Sequence, residues 1–106
     1  MISQDRLEKA LRFIAETDEE HAELKTDVER SAYKIKAMKG LVISHEDGAM
    51  ELRKAIAENH ATVAEAVGEW LATMKAYEAL NNKRKTEFLI VDVFRTLEAS
   101  RRHGTV

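Results

Sequence analysis

The sequence predicts an all-α chain: a long antiparallel helical hairpin, coiled-coil-like, with a short connecting helix, forming one helical domain over residues 1–106. Three observations predict it. Charged residues make up 34% of the chain and apolar residues 44%, with a bias to Ala, Glu, Lys, Leu and Arg that favours long helices. There is no proline and there are only four glycines, too little punctuation for a turn-rich all-β fold. Apolar residues also recur in sevens, the period of a left-handed helical supercoil.

Ser3 is placed to cap the first helix, with Asp5 in its first turn. One heptad series then runs Leu7, Ile14, His21, Val28, Ile35, Val42, and a second runs Ala10, Thr17, Leu24, Ser31, Met38. These are the two core positions of a coiled coil, interrupted by the polar residues Thr17, His21 and Ser31. Lys36 and Lys39 suit a helix C-terminus, and Gly40 suits the residue just beyond one. Helix 1 is therefore expected over about 3–39, with Leu41-Val42-Ile43 as an apolar connector. Ser44, followed by Glu46 and Asp47, reads as a near capping box opening a short helix over about 45–58. Thr62-x-x-Glu65 is a second capping pattern, opening helix 3 over about 60–102, with Gly104 as its stop.

The stretch Phe88-Leu89-Ile90-Val91-Asp92-Val93-Phe94 is ambiguous in isolation. Charged residues and threonine flank it without Gly or Pro, and a lone strand in a helical chain leaves its backbone groups unpaired. It is read as helix. On a straight wheel Val63, Val67, Trp70, Met74 and Tyr77 form one stripe, with Leu71 beside it and with Phe88 and Val91 roughly continuing it. Leu89, Ile90, Val93, Phe94 and Leu97 then fall about 160–180° away. A helix apolar on two sides needs two covers, and helix 1 supplies one. The sequence thus predicts a homo-oligomer whose interface is Leu89, Ile90, Val93, Phe94 and Leu97.

Charge is uneven along the chain. Residues 16–29 hold seven acids and one base, and residues 81–102 hold six bases and three acids. An antiparallel hairpin with residue 39 opposite about 60 sets the two segments side by side. Pairing is expected between the acid cluster and Lys75, Lys83, Arg84 and Lys85, with Asp18 and Arg84 as a register pair near the seam. The competing use of the bases is a nucleic-acid surface made by Lys83, Lys85, Arg95, Arg101 and Arg102.

Chemistry-bearing patterns are sparse. Cysteine is absent, which excludes disulfides and thiolate catalysis within this chain. Asp18-x-x-His21 places a carboxylate and an imidazole on one helix face, as di-iron bundles do, but no second copy of the motif accompanies it. Glu58, His60, Glu65 and Glu69 could serve as acids and bases, yet nothing supplies a nucleophile or a phosphate loop. His45 and His103 read as solvated residues near helix ends. The expectation is no catalytic residues, no metal and no cofactor. No apolar run approaches the roughly 20 residues that span a bilayer, and the first residues lack a basic-then-apolar signal. No membrane partner is expected, and the expected location is the cytoplasm.

The C-terminal half carries a resemblance. Trp70, Tyr77-Glu78-x-Leu80, Lys83-Arg84 and the run Phe94-Arg95-Thr96-Leu97-Glu98-Ala99-Ser100-Arg101-Arg102 carry it, with Thr26-Asp27-Val28 after Glu23-Leu24-Lys25. Together these resemble small uncharacterised helical proteins of tailed bacteriophages and prophages. The resemblance covers about half the chain and implies an accessory role near DNA recombination or replication, a protein partner, and the cytoplasm of a bacterial host. It brings no family catalytic residues. With the residue analysis, it gives a non-enzymatic, self-associating helical scaffold as the expected function.

Overall fold

A computed structural model describes residues 1–104. The chain is all-α and 91% helical, with no strand among the described residues. Three helices follow one another: α1 over Gln4–His45, α2 over Met50–Glu58 and α3 over Ala61–Gly104. The 88–94 stretch lies inside α3, so its backbone groups are satisfied within one helix.

Two compact units can be described. The first joins Met1–Ala22 to the described residues from Glu78 onward. The Ser3 hydroxyl caps α1 by accepting from the Arg6 amide at 3.1 Å. α1 and α3 run antiparallel here: His21 reaches Asn81, Thr17 reaches Arg84, and Arg6 reaches Glu87. The sequence places residue 21 opposite about 78, so the true register lies about one helical turn further along α3. Ala10 and Val91 are buried, and Leu7, Ile14, Ile90 and Phe94 are half-buried.

The second unit spans Glu23–Tyr77. Its core is Val42, Ala57 and Val63, with Ile35, Met38, Ile43, Ile56 and Val67 packed against it. This cluster explains why α1 overruns its expected end. Burying Val42 is worth roughly 1.5–3 kcal/mol, more than the roughly 0.5–1 kcal/mol that a mid-helix glycine costs. The helix therefore runs straight through Gly40 to His45, and Leu41-Val42-Ile43 lies within it rather than forming a connector. Ser44 accordingly does not open α2. Its hydroxyl donates to the Leu41 carbonyl at 2.7 Å. The break falls at Gly48, whose φ of 104° suits glycine alone, and α2 starts from Ala49 without a side-chain cap. The Thr62 capping box is likewise replaced: His60 Nδ1 accepts from the Thr62 amide at 3.2 Å.

The two readings of Gly40 differ in a measurable way. A left-handed cap residue resists a side chain, whereas a helical glycine with open space around it welcomes one. Nothing lies within 4 Å of a Cβ built at Gly40. Gly40→Ala is expected to raise stability by about 0.5–1 kcal/mol in thermal denaturation; a loss would restore the cap.

Candidate functional site

The part of α3 in the first unit has an inner and an outer face. Arg84, Glu87, Val91, Phe94 and Glu98 are buried or half-buried, at alternating steps of three and four. That spacing is the seven-residue repeat of a supercoiled pair. A straight wheel drifts from such a repeat by about 20° per heptad, so counting on from Val63 misplaces residues near 91 by about 80°. The drift corrects part of the expected interface. Ile90 and Phe94 are half-buried within the subunit, while Leu89, Val93 and Leu97 remain 60%, 39% and 43% exposed. Phe88 does not continue the inner stripe. It is 46% exposed, and the Arg84 guanidinium lies 5.7 Å from its ring centroid, a cation–π contact. Leu71, in the second unit, is also exposed.

The outer face reads Asn82, Thr86, Leu89, Val93, Thr96, Ser100, again at steps of four and three, and every member is exposed. No charged residue interrupts this row. Its threonine hydroxyls are already used: Thr86 Oγ1 donates to the Asn82 carbonyl at 3.1 Å and Thr96 Oγ1 to the Asp92 carbonyl at 3.0 Å. What these threonines offer a neighbour without cost is their methyl groups.

Arg84 is the buried charge of the inner face. Nη1 donates to the Ile14 carbonyl and to Thr17 Oγ1, both at 2.8 Å, and Nη2 donates to Asp18 Oδ1 at 3.2 Å. Its side chain is 7% exposed and that of Asp18 is 79% exposed. The register pair is thus one of three contacts to the guanidinium, and the longest; a backbone carbonyl and a hydroxyl supply the other two. Sequence reasoning missed the pair of Arg6 and Glu87, in which Nη2 donates to both carboxylate oxygens, at 2.8 and 2.7 Å. The available signal was an acid, Glu87, at an inward heptad position, which demands a cation nearby.

The expected pairing of acid and base clusters does not extend beyond Asp18. Asp27 pairs with Arg30 on its own helix. Glu16, Glu19, Glu20, Glu23 and Glu29 have no ion pair among the described residues, nor do Lys75, Lys83, Lys85 and Arg95. The reason is energetic. Exposed bridges are worth roughly 0–1 kcal/mol, too little to impose contact on side chains that the seam turns outward. Of the proposed phosphate contacts, Lys83 and Lys85 flank the inward Arg84 on opposite sides. Arg95 and Arg102 are exposed, and Arg101 pairs with Glu98 at 3.0 Å.

The imagined chemical groups take structural parts. His21 Nε2 lies 3.0 Å from Asn81 Oδ1, a polar layer at a heptad position. Glu69 holds Lys34 at 2.8 Å. That hydrogen bond, then the Glu69 charge, raises the Lys34 pKa above its ordinary value, with Glu65 adding to the effect. Among the described residues no group of three His, Asp or Glu side chains is arranged to hold a metal. An open groove of about 370 Å³ lies in the first unit, between Met1 and Ile2 on one side and Phe94 and Leu97 on the other. It holds no nucleophile and no paired carboxylates. No described helix is long and apolar enough to cross a membrane. No family model, curated protein or solved structure matches the chain.

Proposed function

We propose that this protein is a non-enzymatic helical scaffold that self-associates through the outer face of α3. The observation that carries the reading is the exposed pair Leu89 and Val93 at the centre of the outer row, with exposed Leu97 on its flank. Scattered surface leucines are ordinary, but apolar residues aligned along one helix row that continues at both ends in uncharged residues suit a covered surface. These side chains are 39–60% exposed, so burying what remains of each is worth about half of the roughly 1.5–3 kcal/mol of full burial, once in each copy of a twofold contact. That sum is comparable to the roughly 4–15 kcal/mol that association costs, so the expected complex is reversible. An accessory role in phage or prophage DNA recombination or replication, in a bacterial cytoplasm, rests on the resemblance of the C-terminal half.

Sedimentation of wild type and of the double variant Leu89→Asp, Val93→Asp tests the reading. Both side chains are exposed, so the variant is expected to keep its helical circular dichroism while the wild-type oligomer becomes monomer. A wild type that stays monomeric at its highest concentration overturns the proposal. The second reading, direct nucleic-acid binding, is favoured by the exposed, unpaired Lys83, Lys85 and Arg95. Its sign is retention on a duplex that falls by a log–log slope of about 0.9 per phosphate contacted as salt rises.

A further inference from the structure

Resting on that self-association, we propose that the partner on the outer face of α3 is a second copy of this chain, packed antiparallel about a twofold axis between Leu89 and Val93. The row reads almost the same in both directions. Turning one copy round sets Asn82 against Ser100 of the second copy, Thr86 against Thr96, and Leu89 against Val93. Uncharged polar ends meet uncharged polar ends and the apolar centre meets itself, as an isologous contact requires. From Asn82 to Ser100 the row spans about 27 Å at 1.5 Å per residue, five turns of helix. The hydroxyls of Thr86 and Thr96 are held by their own backbone, so burying them strands no donor.

Charge selects this orientation over the parallel one. Lys85 and Asp92 stand on one flank of the row; Lys83, Ile90 and Leu97 stand on the other. Neither Lys85 nor the Asp92 carboxylate has an ion pair among the described residues. In an antiparallel pair like flanks meet: the two Asp92 carboxylates lie near the axis, bracketed by the two Lys85 ammonium groups, while Ile90 and Leu97 of both copies meet on the opposite flank. In a parallel pair unlike flanks meet, which sets Lys85 against Ile90 and Asp92 against Leu97, each charge facing an aliphatic group.

The chain has no cysteine, so single-cysteine variants report geometry directly. Thr86→Cys and Thr96→Cys proteins are mixed and treated with a short bismaleimide. In the antiparallel pair unlike cysteines face each other, and like cysteines stand about 15 Å apart along the axis. The mixed adduct is expected to form roughly tenfold faster than either homodimeric one. A dominant Thr86→Cys homodimeric adduct means parallel packing and overturns this orientation while leaving self-association intact. A sedimenting dimer with no adduct overturns the α3 face. A monomer with no adduct overturns the self-association beneath both.

Discussion

Replacing Arg84 with alanine is expected to cost about 2–4 kcal/mol, a loss of packing of the size seen for large-to-small core substitutions, whereas Arg84→Met is expected to be near neutral or stabilising. The difference follows from what each change leaves behind. The guanidinium touches the Ile14 carbonyl, Thr17 Oγ1 and Asp18 Oδ1. With the guanidinium gone, the Ile14 carbonyl keeps its bond within α1, and Thr17 still donates to the Phe13 carbonyl at 2.7 Å. Asp18 is mostly in water. No buried group is orphaned, so loss of the polar contacts alone is cheap. Loss of the aliphatic stem is not, because Arg84 is 6% exposed and its stem takes up buried volume. Methionine restores that volume without the cost of desolvating a cation. Asp18→Ala, at an exposed site, is expected to cost less than about 1 kcal/mol. Urea denaturation of the three variants orders them; a methionine variant as damaged as the alanine one would show that the polar contacts dominate.

Val63→Asp is expected to be the most damaging single change in the second unit. Val63 is 2% exposed and lies in the cluster with Val42 and Ala57. The residues of that cluster and the hydrophobic side chains packed on it are apolar, so the new carboxylate replaces aliphatic contacts with a charge. Burying it uncompensated costs several kcal/mol, a large share of the roughly 5–15 kcal/mol that stabilises a domain. α2 has only nine residues and no side-chain cap, too short to persist on its own propensity. Amide exchange in residues 50–58 should therefore approach unprotected rates in the variant. Retained protection there would place the hold on α2 outside this cluster.

Much of this architecture can be read in the sequence. Each heptad position from Leu7 to Val42 is buried or half-buried, including Thr17, His21 and Ser31, because a long repeat outweighs single polar interruptions. The helix boundaries that failed each depended on a single local residue. Gly40 and Ser44 carry ordinary helix-end signals, yet the cluster around Val42 overrides both. The wheel of α3 failed for a geometric reason, since an angle counted along a straight helix loses its reference once two helices coil. Ile90 and Phe94 consequently belong partly to the subunit's own interior, while Leu89, Val93 and Leu97 do not. Arg84 was visible as a charge near the seam, but its bond to a backbone carbonyl has no signature in residue types.

That bond has a consequence for how the chain tolerates change. A carbonyl is present whatever amino acid stands at position 14, so the anchorage of Arg84 survives most substitutions on the opposing helix. Asp18, bathed in water, is free to drift, and so are its acidic neighbours. Position 84 itself is buried, so a long, slender side chain, charged or greasy, is expected to serve there better than a short one.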